Sequence, residues 1–150
     1  MTPPGPTAGP GDTTGPGPEL GDRAEVRATV TQADTALAAG SGDVPVLATP
    51  RLLALAEAAA VAAIAPRLAA GQTSVGIAAR LEHRRASPVG AELEVEAELT
   101  QMDGQRLVFM FIARPADGSD QVIGAGTIER VLVDRERFLA RAQTPVVDLG

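Results

Sequence analysis

The sequence predicts an α+β fold, a curved antiparallel sheet wrapped around one central helix. Three observations lead to it. The stretch 51–65, RLLALAEAAAVAAIA, carries only Arg51 and Glu57 as charged residues, and a helix apolar almost all round belongs in a core. The chain after it reads as four strands joined by short turn signals, with one further strand ahead of it. At 150 residues and 45% hydrophobic content, a single domain can furnish that core unaided.

Residues 1–18, MTPPGPTAGPGDTTGPGP, hold six prolines and five glycines with Met1 as the one large apolar side chain, so no burial offsets the entropy of ordering them. The expected division is a disordered tail over 1–20, a domain over 21–141 and a C-terminal tail over 142–150. In GDRAEVRATVT, Ala24, Val26, Ala28 and Val30 share one parity, the mark of a first strand. Residues 32–44 are small and polar, with Gly40, Ser41 and Gly42 near their end, and read as a loop or short helix that can cover a pocket. Thr49-Pro50 then reads as a helix N-cap and first helical residue, with the helix running to about Pro66.

After the Gly71-Gln72 turn, TSVGIAARLEHRRA places Val75, Ile77, Ala79, Leu81 and His83 on one face of a strand. AELEVEAELT alternates strictly, with Ala91, Leu93, Val95, Ala97 and Leu99 inward and Glu92, Glu94, Glu96 and Glu98 outward. Asp103-Gly104 is a hairpin signal, and the RLVFMFIA beyond it is apolar on both faces, hence central in the sheet. A loop at 117–120 leads to QVIGAGTIERVLV. One strand, a loop, a buried helix and four antiparallel strands make the hot-dog arrangement, whose single sheet leaves apolar surface for a second copy of the chain.

Composition narrows the chemistry. Zero cysteines exclude disulfides, thiolate catalysis and cysteine-based zinc sites, and a single histidine argues against a multi-histidine metal centre. All 13 basic residues are arginine against 19 acids, and the net charge of -6 argues against nucleic-acid or anionic-membrane partners. There is no run of about 18 apolar residues and no basic-then-apolar leader, so the expected location is the cytoplasm.

Glu57 is the most informative residue, since it stands alone among leucines, alanines, Val61 and Ile64 in a helix expected to be buried. A carboxylate there needs a partner, or serves as nucleophile, base or electrostatic group. His83 shares its strand face with apolar residues and can come near Glu57 if sheet and helix meet there. Thr49 lies beside the free N–H groups of a helix start, but eight residues of helix put Glu57 about 12 Å further along the axis. A site using both is bridged by substrate or assembled across a dimer. Gly124-Ala125-Gly126 sits inside an apolar strand and marks a tight backbone approach rather than a phosphate loop. Arg84, Arg85 and Arg130 either hold coenzyme phosphates or pair with surface glutamates.

The segments ATPRLLALAEAAAVAAIAPRL, TSVGIAARLEHRRASPVGAELEVEAEL and GAGTIERVLV together resemble the fluoroacetyl-coenzyme A thioesterase family of hot-dog proteins, over about residues 21–141. The resemblance implies a homodimer that hydrolyses acyl-coenzyme A thioesters without a metal, with coenzyme A as part of the substrate. It also implies catalytic roles for Thr49, Glu57 and His83 and substrate contacts for Gly76 and Arg130. One departure stands out: the fluoroacetate-specific member carries phenylalanines before its catalytic threonine, whereas AGSGDVPVLA here has no aromatic residue.

The expected function is therefore a thioesterase acting on a short or medium acyl thioester, carried by coenzyme A or an acyl carrier protein. The alternative is a non-catalytic acyl-thioester or small-ligand-binding module, against which the retention of three polar site residues argues. A hot-dog dehydratase would need an acid and a histidine in one segment, and the 26 positions between Glu57 and His83 do not supply that.

Overall fold

The computed structural model describes residues 15–143 and Leu149; the remainder of both expected tails lies outside the described residues. Five strands form one antiparallel sheet: β1 (Arg23–Thr29), β2 (Gln72–His83), β3 (Glu92–Asp103), β4 (Arg106–Pro115) and β5 (Gly124–Asp134), in the order β1-β3-β4-β5-β2. The long helix, α2 (Thr49–Ile64), lies on the concave face, preceded by the short α1 (Ala36–Ala39) and followed at the end of the sheet by α3 (Arg135–Arg141). This is the expected architecture, with β4 central. Residues 15–20 do not stand clear of the domain: the Gly17 N–H donates to the Arg67 carbonyl at 2.9 Å, and Arg67 pairs with Glu19 at 3.0 Å. Composition cannot register such partners, because they come from a turn some fifty residues away.

The strict alternation of β3 appears as drawn. Leu93, Val95, Ala97 and Leu99 are buried, while the outward glutamates form a ladder with β1 in which Arg23 meets Glu96 at 2.6 Å and Arg27 meets Glu94. On β4, Leu107, Phe109, Phe111 and Ala113 face the helix. The helix answers with Leu52, Leu55, Ala56, Ala59, Ala60, Ala63 and Ile64, and its small alanines let the sheet come close. Fully burying a side chain such as Phe109 contributes about 1.5–3 kcal/mol.

Two features depart from the sequence reading. α2 is apolar nearly all round yet buried on one side only. Ala54, Ala58, Val61 and Ala62 remain exposed, because α2 packs chiefly over β1 and β3 and reaches little of β2 and β5. By length and composition the helical stretch Thr49–Arg67, α2 with the turn after it, could cross a bilayer, but its buried face is the centre of this core.

The second departure is in β2. Gly76 pairs with Arg130 and Ala78 with Glu129, which leaves Ile77 as the extra residue of a β-bulge. Opposed residues share a face, so Ser74 and Gly76 before the bulge, and Ala79, Leu81 and His83 after it, point toward the helix. Val75 therefore points away, contrary to the simple alternation. The Gly124-Ala125-Gly126 segment is a close approach, as expected: a Cβ on Gly126 would lie 1.9 Å from the Arg80 carbonyl oxygen.

Candidate active site

The predicted site residues fall into two groups within the chain. The first sits at the start of α2. Ala48, not Thr49, takes the N-cap position, with Thr49 and Pro50 as the first helical residues. Ala48 is fully buried and its N–H is satisfied by the Asp34 carbonyl at 2.8 Å, so the chain turns helical one residue early. No side chain caps the helix, and the Thr49 hydroxyl is free for another partner. That partner is His83: Thr49 Oγ1 lies 2.8 Å from His83 Nδ1.

His83 reaches this point because the bulge restores it to the helix-facing side of β2. Its Nε2 is shut away from solvent without a hydrogen-bond partner among the described residues, so Nδ1 is the working nitrogen. Burial lowers the histidine pKa below its ordinary 6.5, opposed by the Arg85 backbone carbonyl, which favours the charged ring. A neutral imidazole aimed at a hydroxyl is a general base in place.

A cavity of about 340 Å³ opens at this pair, between residues 41–47 on one side and Arg84–Ala86 on the other. The cover is tied down at its C-terminal end. The Val46 carbonyl accepts from Ala36 and the Leu47 N–H donates to Ser87, both at 2.8 Å, while Val44 at the tip is exposed. A larger cavity, about 430 Å³, lies beside α3 and holds none of the predicted site residues.

The second group lies further along α2. Glu57 does not meet His83; its Oε2 accepts from Arg130 Nη1 at 3.0 Å. Arg130 is buried, and Ser74 holds its other nitrogens, the hydroxyl accepting from Nε at 2.8 Å and the carbonyl from Nη2 at 3.0 Å. Burial pulls the Arg130 pKa below its ordinary value, and the charge of Glu57 opposes that. Gly76 completes the group: a Cβ there would lie 2.7 Å from Glu57 Oε2 and 3.4 Å from Arg130 Nη1. The missing side chain leaves a gap directly over the ion pair. Sequence reasoning did not select Ser74, although it shares its face with Gly76 across the same stretch of strand.

The two groups are far apart within one chain. Thr49 and Glu57 are separated by about 12 Å of helix, and His83 and Gly76 by about 20 Å of strand. Among the described residues, no group of three or more aspartate, glutamate or histidine side chains converges as metal ligands would.

Residues 30–136 match the family model for fluoroacetyl-CoA-specific thioesterases. The fluoroacetyl-CoA thioesterase of Streptantibioticus cattleyicolor is 41% identical over 102 residues, which span 67% of this chain and 71% of that protein. A solved structure of a fluoroacetyl-CoA thioesterase superposes with a TM-score of 0.78 at 31% identity, covering 87% of this chain and 99% of that one. A thioesterase superfamily member from Thermus thermophilus, 24% identical, shares the fold with a TM-score of 0.76 over 83% of this chain and 90% of its own. With its helix, its sheet and most of its length matched, this chain belongs to the fluoroacetyl-CoA-specific thioesterase family of hot-dog proteins.

Proposed function

We propose that this protein hydrolyses short or medium acyl-CoA thioesters to the free acid and coenzyme A, as a homodimer whose subunits each supply half of every reaction site. The observation that carries the reading is the 2.8 Å contact between Thr49 Oγ1 and His83 Nδ1 at the mouth of a cavity. A related thioesterase has been solved as a variant in complex with acetyl-CoA.

Surfaces that a single chain leaves open support the dimer. β2 is an edge strand of 12 residues, and α2 leaves Ala54, Ala58, Val61 and Ala62 exposed while reaching little of β2 and β5. Antiparallel pairing of two β2 strands about Arg80 would set Leu81 opposite the partner's Ala79 and, past the bulge, His83 opposite the partner's Gly76. Without the bulge, side chains facing the helix would meet side chains facing away. With it, Thr49 and His83 of one subunit stand across from the partner's Glu57, Gly76 and Arg130.

In that arrangement Thr49 attacks the thioester carbonyl carbon as His83 Nδ1 takes its proton, and backbone N–H groups near Gly76 stabilise the oxyanion. The carbon–sulfur bond breaks, and the departing thiolate receives the proton from His83. Water, oriented by the partner's Glu57 and deprotonated by His83, then cleaves the Thr49 ester to release the acid and restore the hydroxyl. The chemistry calls only on the coenzyme carried by the substrate.

The test is a panel of thioesters from acetyl- to octanoyl-CoA, with released thiol read by a chromogenic reagent. Turnover of at least one at an ordinary enzymatic rate, above about 1 per second, is expected. Tight binding of acyl-CoA with no turnover across the panel would overturn the reading in favour of a non-catalytic binding module.

A further inference from the structure

β2 and the turn after it carry more charge than the reaction uses. Arg80 reaches Glu82 at 3.4 Å and Arg84 reaches the same carboxylate at 3.0 Å. Arg85 has no ion-pair partner among the described residues. Three cations against one anion leave two uncompensated positive charges on this short stretch, in a chain whose net charge is -6.

The stretch is held firmly and aimed at the site. The N–H groups of Arg84 and Arg85 both donate to the carbonyl of buried Ile123, at 2.7 and 3.1 Å, which pins the backbone where β2 ends. Arg84 and Arg85 line the same cavity as Thr49 and His83, as does Asp43 of the cover. Arg85 also borders a second cavity of about 430 Å³, walled by Ser87, Pro115 and Ile123. A thioester that reaches Thr49 through this cavity has the rest of its carrier beside this rim. If the carrier is coenzyme A, that remainder carries a diphosphate and a 3′-phosphate, and the overall charge of the protein repels it. Guanidinium groups are suited to such anions because their planar fork matches phosphate oxygens.

We propose that Arg85, with Arg84 beside it, is the rim of the site that binds the phosphate groups of the coenzyme A substrate. The proposal rests on the thioesterase reading and names the part of the substrate that this rim recognises.

The experiment compares Arg85→Ala and the Arg84→Ala/Arg85→Ala double variant with the unaltered protein, on one acyl group carried by three thiols: coenzyme A, pantetheine and an acyl carrier protein. Removing charge-assisted contacts to phosphate should raise KM for the acyl-CoA about tenfold with kcat nearly unchanged. KM for the pantetheine thioester should stay put, and the rise of acyl-CoA KM with salt should flatten in the variants. An unchanged acyl-CoA KM would overturn the proposal. So would an equal loss on pantetheine, a loss confined to the carrier-protein substrate, or a loss confined to acyl groups that bear their own carboxylate, such as succinyl. If no thioester is turned over at all, the thioesterase reading is what fails. The rim is then judged by calorimetric binding of free coenzyme A, which the variants should weaken about tenfold; equal binding by variant and unaltered protein would overturn it.

Discussion

The Thr49 hydroxyl lies 2.8 Å from His83 Nδ1 across 34 residues of sequence, and it does not cap its own helix. This separates its chemistry from its structural worth. Thr49→Ala should lower kcat by a factor of about 100 or more, whereas a true cap would also cost about 1 kcal/mol of stability. With no cap bond to lose, the unfolding free energy should move by less than about 0.5 kcal/mol. Chemical denaturation alongside steady-state kinetics checks both halves, and a large stability loss would return Thr49 to a capping role.

His83 makes a prediction about pH. Its folded pKa is lowered from 6.5 by burial, and the reaction needs the neutral ring, so the acid limb of kcat/KM should have its midpoint below 6.5. The same shift acts on stability. Between the folded and unfolded values the unfolded chain binds the extra proton, so this contribution is present above 6.5 and is lost as pH falls through the folded value. A His83→Gln variant should lose both dependences; a rate profile centred above 6.5 would contradict the assignment.

Gly76 and Glu57 form a second pair whose spacing can be tested. Gly76→Ala puts a methyl group 2.7 Å from Glu57 Oε2, the tip of a flexible, half-exposed side chain, so the carboxylate can swing aside. The melting temperature should scarcely change while kcat falls about tenfold or more, and Glu57→Gln should cost about 100-fold with the fold intact. Melting curves and kinetics on both variants decide this: a Gly76→Ala protein with normal turnover would remove Gly76 from the site.

The proposed dimer register gives a covalent test. The chain contains no cysteine, so Arg80→Cys introduces one thiol per subunit at the proposed two-fold axis. Directly opposed residues of an antiparallel pair hold their Cβ atoms about 4.5–5.5 Å apart, close enough for oxidation to link the subunits. A covalent dimer on non-reducing gels is expected. Sedimentation as a monomer at micromolar concentration, with no cross-link, would refute the pairing.

Selectivity follows from the cover. Residues 41–47 bring only Val44, Pro45, Val46 and Leu47 as apolar side chains, over a cavity of about 340 Å³ that far exceeds an acetyl group. Apolar walls discriminate by only about 1–3 kcal/mol per methylene. Fluoroacetyl-CoA should therefore exceed the best larger acyl-CoA in kcat/KM by no more than about tenfold, or 1.4 kcal/mol. A thousandfold preference for fluoroacetyl would place selectivity in Gly76 and Arg130 instead.

What could be read from the sequence was whatever local pattern controls. The alternation of β3 fixed which side chains are buried, the doubly apolar β4 announced a central strand, and the near-uncharged α2 announced a core helix with Glu57 as its anomaly. Thr49, Glu57 and His83 were marked because each breaks its surroundings in polarity, a property of neighbours along the chain.

Tertiary structure decided what depends on residues far apart. The bulge at Ile77 has no sequence mark, since it is a mismatch in count between β2 and β5, yet it turns Val75 outward and lets Gly76 and His83 share a face. Burial of Ala48 moved the helix start and freed the Thr49 hydroxyl, and the partner of Glu57 proved to be Arg130, 73 residues away, held by Ser74. A hydrogen bond or ion pair is a relation between two surfaces brought together by the fold, and alternation within either segment carries no record of what lies opposite.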